Sequence, residues 1–302
     1  MSQLDPAIAP SRTAEAPHTA GTPGLRRTLK LRHIVFLGLA YMAPLAVFDT
    51  FGIVADVTHG HVPLAYLVVL VAVLITALSY SRMVKVFPMA GSAYTYTREA
   101  INPHLGFLVG WAATLDYLLL PMINALLSAI YMSAAFPAVP SWVWILSTIV
   151  ICTVLNLIGV QIAAKVNVIL VIIQVVVAVA FVGLTIKNIV DGANGASFST
   201  TPFFSPGLDV PAIGAGAAIL ALSFLGFDAV STLAEEAEKP RRDIPRAILI
   251  IVAVAGVFFV SVTYVMQVLF PDVSTVGNIV GASPEIAKYI GGAAFQAVFI
   301  GG

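Results

Sequence analysis

The sequence is poor in charge and almost without cysteine. Its 302 residues hold 15 Lys and Arg and 15 Asp and Glu, so 10% of side chains are charged against 59% hydrophobic. A soluble domain carries about 25% charge; a water-exposed globule is therefore excluded, and an integral membrane protein is implied. The formal net charge is zero, which leaves no basic field to attract nucleic acid. Cys152, the single cysteine, lies inside an apolar run, so neither an internal disulfide nor a thiolate metal cluster is available. No metal-ligand set, nucleophile–base pair or phosphate loop stands out. No cofactor and no enzymatic chemistry is expected.

What is abundant is apolar sequence in long blocks. A helix needs about 20 apolar residues to cross a bilayer. Spans are predicted at 34–57, 63–87, 105–131, 141–164, 166–187, 211–234 and 246–270, with an eighth starting near 286. Residues 1–24 differ in kind: they are rich in Ala, Pro, Thr and Ser, and read as a disordered tail. The basic cluster Arg26, Arg27, Lys30 and Arg32 precedes a span too long for a signal peptide, so that span should be retained. Basic residues also gather between spans 2 and 3 (Arg82, Lys85, Arg98), 4 and 5 (Lys165), and 6 and 7 (Lys239, Arg241, Arg242, Arg246). Only Lys187 and Lys288 fall in the alternate loops. The positive-inside rule then predicts a multi-pass protein with a cytoplasmic N-terminus.

Three acids break the pattern. Asp49, Asp116 and Asp228 lie within apolar spans. A carboxylate in hydrocarbon is expensive and usually serves an ion, proton or substrate path. Two of them sit beside helix-weakening residues. Span 1 contains Pro44-Leu45-Ala46-Val47-Phe48-Asp49, and span 6 contains Phe224-Leu225-Gly226-Phe227-Asp228. Proline removes a helix hydrogen bond and glycine weakens the helix. The two interruptions are five spans apart, an odd number, so a second copy of a five-helix unit would be inverted. Inverted repeats with broken first helices are a recurring transporter plan. The expected division is a tail at 1–28, a first repeat at 29–190 and a partial second repeat at 191–302.

Three segments resemble the amino acid–polyamine–organocation (APC) permeases. They are Phe87-Pro88-Met89-Ala90-Gly91-Ser92-Ala93-Tyr94, the span 6 break followed by Glu235-Glu236 and Pro240-Arg241-Arg242-Asp243-Ile244-Pro245, and the interrupted span 1. Within the family, Val47-Phe48-Asp49-Thr50-Phe51-Gly52, Leu115-Asp116-Tyr117-Leu118 and Leu120-Pro121-Met122 lean toward bacterial putrescine importers. The resemblance implies an all-α, LeuT-type inverted-repeat fold of twelve helices. Seven of these and the start of an eighth are present here. It also implies proton-coupled import through a bacterial inner membrane, with Glu235 and Glu236 at the inner mouth. Amino-acid-transporting relatives have a glycine-rich segment in helix 1 where this chain has residues 44–49, and several proton-coupled relatives have a lysine in helix 5 where this chain has Gln174. An acid in place of an amide cradle suits a substrate with two ammonium ends.

The candidate binding residues are Asp49, Asp116 and Asp228 for the ammonium groups, Phe48, Tyr117, Phe224 and Phe227 as cation–π rings, and Pro44 as the helix breaker. Asp116 has no neighbouring glycine or proline, so helix capping explains it poorly. For Asp49 and Asp228, capping of the loose amides is a direct rival. For Phe48 and Phe224, plain packing is an equal rival. A small cationic substrate, a coupling proton and the bilayer are the expected partners. The alternatives are an amino-acid permease of the same superfamily, or a membrane protein inactive because half of the second repeat is missing.

Overall fold

A computed structural model describes residues 27–42, 44–158 and 160–301. The tail expected at the N-terminus, up to residue 26, lies outside the described residues. The described residues form helices joined by loops, with a single isolated bridge pair, Leu29 with Ala237, and no strand among them.

Span 1 forms as two helices, α1 (Leu31–Tyr41) and α2 (Ala46–Val57), bent by 48° at the Pro44 segment. Span 2 is α3 (Val62–Val86), started by Pro63 within its first turn, where the missing amide costs nothing. A short helix that the hydropathy pattern does not announce, α4 (Ser92–Ala100), follows the Phe87–Gly91 loop. Spans 3, 4 and 5 are α5 (Pro103–Ala135), α6 (Ser141–Ile158) and α7 (Val160–Val190). The side chain of Asn102 accepts the His104 amide and caps α5.

Span 6 is helical as α8 (Val210–Leu220), then tightens to 3-10 turns at Ala221–Phe224 and Ala229–Glu235 on either side of Gly226. Span 7 is α9 (Pro240–Leu269), and α10 (Ala282–Gly301) is interrupted at Gly292. Six helices are long and apolar enough to cross a membrane, and seven if the bent α1–α2 pair is one span.

Contacts among loops and helix ends sort into two groups, one at each end of the bundle. At one end, Thr28 and Leu29 donate their amides to the Glu236 carbonyl at 3.0 and 3.1 Å, Ala90 donates to Glu235 Oε1 at 3.3 Å, and Ser81 donates to the Pro245 carbonyl at 3.1 Å. At the other, His61 Nε2 bonds Ser205 Oγ at 2.8 Å, and Asn194 Nδ2 donates to the Leu269 carbonyl at 2.8 Å. An even number of crossings separates the partners within each end, as the span count requires. Most of the basic residues belong to the first end.

Close approach of helices is built from the small residues. A Cβ on Gly106 would lie 2.7 Å from the Arg98 Cβ, and one on Gly110 2.8 Å from the Tyr94 ring, so α4 lies directly on α5. Gly216 in α8 meets Thr58 in the same manner. Two aromatic groups fill the centre. Phe48 packs on Phe181 and Phe299 with centroids at 4.7 and 5.1 Å, and Phe224 packs on Tyr66 and Phe259 at 6.4 and 5.4 Å.

Candidate functional site

The two helix breaks touch. Gly226 has φ +96°, a conformation only glycine adopts without cost, and a Cβ there would lie 2.7 Å from the Tyr41 carbonyl oxygen. The middle of span 6 thus rests against the last turn of α1. The loosened backbone of both spans meets inside the bundle.

Asp49 lies in the first turn of α2 and is half-buried. Its Oδ1 accepts a hydrogen bond from the Tyr131 hydroxyl of α5 at 2.6 Å. Tyr66 of α3 lies within electrostatic reach of the same carboxylate, and its hydroxyl bonds Ser223 Oγ at 2.9 Å at the span 6 break. Asp228, also half-buried, has Oδ2 bonded by Ser92 Oγ of α4 at 2.9 Å. Tyr80, Tyr96 and Tyr117 lie within electrostatic reach of Asp228. Asp228 stands at the N-cap position of the following 3-10 turn, but its side chain makes no capping bond. Neither does Asp49 cap α2, which has no side-chain cap.

The polar groups therefore form two clusters, one on each side of the touching breaks. Asp49, Tyr131, Tyr66 and Ser223 make one; Asp228, Ser92, Tyr80 and Tyr117 make the other. Asp116 sits beside Tyr117 on α5, toward the second cluster, exposed and without a hydrogen bond among the described residues. The predicted rings divide likewise. Phe48 and Phe224 are 2% and 1% exposed and serve as packing. Phe227 is half-buried and meets Tyr80 edge-on at 5.5 Å, while Tyr117 is 60% exposed. Pro44 borders an apolar cavity of about 220 Å³ shared with Val175, Val179 and Phe259.

Among the described residues, Arg98 with Glu99 is the one ion pair. Among the described residues, none of the three carboxylates within apolar spans has a basic side chain as partner. The partners that sequence reading missed are Tyr131, Ser92, Tyr66 and Ser223. Each is a neutral residue of common type, and nothing in local sequence marks which of many hydroxyls reaches an acid some 80 or 136 residues away.

Two broken spans that touch, with a polar cluster on each side, in a bundle of apolar helices, are the architecture seen in membrane permeases. The chain belongs to the amino acid permease family, whose model matches residues 33–295. It is 44% identical over 273 residues to the low-affinity putrescine importer PlaP of Escherichia coli, covering 90% of this chain and 60% of that protein. It is 27% identical to the branched-chain amino acid permease BcaP of Bacillus subtilis, over 84% of this chain and 57% of the relative. It is 26% identical to the lysine-specific permease LysP of Escherichia coli, over 84% and 53%. The chain thus spans little more than half the length of the curated relatives it matches.

Proposed function

We propose that this chain supplies the substrate-carrying core of a permease that imports a small polyamine, putrescine first, by proton-coupled alternating access. It sits in a bacterial inner membrane with the basic end cytoplasmic, and it transports rather than catalyses. The observation that carries this reading is the set of carboxylates within apolar spans that have no basic partner among the described residues. An unpaired carboxylate at membrane depth is costly, and a cationic substrate removes that cost when it binds. At Asp49 and Asp228 one oxygen is held by a hydroxyl, which leaves the other free for an ammonium. Asp116 is the third acid on the path. Tyr117 supplies an exposed ring and Phe227 a half-buried one, with Phe48 and Phe224 fixing the backbone behind the acids and Pro44 opening span 1.

The division into a first repeat at 29–190 and a second beginning at 191 belongs to the same proposal. It is supported by the break recurring five spans on, beside the same Phe-Asp pair. The coupling proton is assigned to one of the three acids, since Gln174 at the helix 5 position does not titrate.

The test is uptake into vesicles that hold the protein. Labelled putrescine should accumulate, unlabelled diamines should compete, and a protonophore should abolish accumulation. The kinship with BcaP and LysP favours a second reading, an amino-acid permease. Competition by amino acids that is lost on esterifying their carboxylate, with no competition by diamines, would establish that reading instead.

A further inference from the structure

Tyr66 of α3 is wholly buried, and it carries a hydroxyl into the apolar centre of the bundle. Burying a hydroxyl is costly unless it is hydrogen-bonded, so phenylalanine would serve packing alone better. The ring is wedged against Phe224 and Phe259, with centroids at 6.4 and 5.4 Å. Those two rings meet each other edge-on at 5.4 Å. Three interlocked rings leave the hydroxyl little freedom. The helix behind it is tied to α9 by the Ser81 bond to the Pro245 carbonyl.

The hydroxyl reaches both broken spans. Its oxygen lies 2.9 Å from Ser223 Oγ, in the 3-10 turn of span 6 that ends before Gly226. The Thr50 hydroxyl of span 1, next in sequence to Asp49, lies beside the same tyrosine oxygen. A phenol both donates and accepts. Tyr66 is thus bonded to one broken span and within reach of the other.

The two partners depart from the local rule. A hydroxyl inside an apolar helix commonly donates to the carbonyl four residues back, as Thr58, Thr114, Thr185 and Thr263 do here. Ser223 bonds Tyr66 instead, across 157 positions of sequence. Thr50 Oγ1 is buried and makes no bond of its own among the described residues. Both hydroxyls are therefore turned from their own helices toward α3.

We infer that Tyr66 is a positioning residue that sets substrate length, by fixing the separation between the two breaks and so between the Asp49 and Asp228 carboxylates. The inference rests on the proposed site at the breaks. A substrate with two polar ends fits when those ends match two groups at a fixed separation. Asp49 is one residue from Thr50, and Asp228 is five from Ser223. The acids stand on different spans, so their separation is only as well defined as the contact between the spans. Gly226 against Tyr41 sets one point of that contact, and Tyr66 sets a second.

The test compares uptake of 1,4-diaminobutane and 1,5-diaminopentane by the protein in vesicles, as the ratio of their kcat/KM values. Tyr66→Phe keeps the ring and removes the hydroxyl. It should bring the ratio toward one by roughly two- to tenfold, the worth of one neutral hydrogen bond. Ser223→Ala should do the same, and the double variant should do no more than either single one. Thr50→Val, which keeps the shape of the side chain, should also relax the ratio. A loss shared equally by both diamines would mark Tyr66 as packing alone and overturn the inference. So would a wild type that does not distinguish the two, a ratio unchanged by Tyr66→Phe or Thr50→Val, or additive effects in the double variant. If Tyr66→Phe fails to fold, Ser223→Ala and Thr50→Val decide. A wild type that carries neither diamine sinks the import reading by itself. The same ratio is then read between lysine and its one-carbon-shorter homologue ornithine, and each outcome keeps its meaning.

Discussion

The Tyr131 hydroxyl donates to Asp49 Oδ1 at 2.6 Å, which ties span 3 to the first turn after the break in span 1. A hydrogen bond to a charged group contributes about 1.5–3 kcal/mol. It also fixes which carboxylate oxygen stays free. Tyr131→Phe should weaken putrescine binding by roughly 10- to 150-fold at about 1.4 kcal/mol per decade, with little change in maximal uptake rate. In an Asp49→Asn background the same substitution should have little further effect. Additive losses in that double-mutant cycle would show that Tyr131 does not act through Asp49.

Gly226 supplies a stability prediction. An L-residue in the left-handed region costs about 1–2 kcal/mol, and the new Cβ would also press on the Tyr41 carbonyl at 2.7 Å. Gly226→Ala should lower the thermal unfolding midpoint of the detergent-solubilised protein. Gly214→Ala is the control, because nothing lies within 4 Å of a Cβ there. Equal midpoints for the two variants would mean that the breaks do not meet as described.

How much of this was legible in the sequence differs by feature. The spans were readable, because hydropathy over about 20 residues is a property of local composition. The broken spans were readable too, since Pro44 and Gly226 act on their own backbone. Helix α4 was not: Ser92–Ala100 is polar and short, and forms where Gly106 and Gly110 of α5 leave room for it. The acids were found, but not their neighbours. Asp116 stood out in sequence because nothing near it could explain it, yet it is exposed, whereas Asp228 is half-buried with Ser92. Capping, the rival reading for Asp49 and Asp228, is not what their side chains do; each carboxylate instead accepts a long-range bond that only the tertiary fold creates.

That contrast orders two substitutions. Removing one partner of a buried ion pair costs about 3–5 kcal/mol. Asp228→Asn should approach that range in putrescine affinity, a loss of roughly a hundredfold or more. Asp116→Asn, on an exposed side chain, should lose less. Binding should be measured beside uptake, since an acid that only carries the proton would spoil uptake and spare binding. An Asp116→Asn protein that binds worse than Asp228→Asn would reverse the order and place Asp116 at the centre of the site.

The final prediction concerns orientation. Thr28 and Lys239 are exposed at the end where the N-terminal segment pairs with Glu236 and Glu238. Asp191 and Ser274 are exposed at the opposite end. With Cys152→Ala as background, single cysteines at Asp191 and Ser274 should react with an impermeant thiol reagent applied to intact cells. Cysteines at Thr28 and Lys239 should react only after the membrane is opened. The physical basis is the excess of Lys and Arg at the Thr28 end, which the positive-inside rule retains in the cytoplasm. The pairing of Leu29 with Ala237 ties two of the reporters to one side. Their labels must therefore agree with each other whichever way the protein inserts. A mirror-image pattern would reverse the orientation and keep the fold. Disagreement between Thr28 and Lys239 would overturn the span count itself.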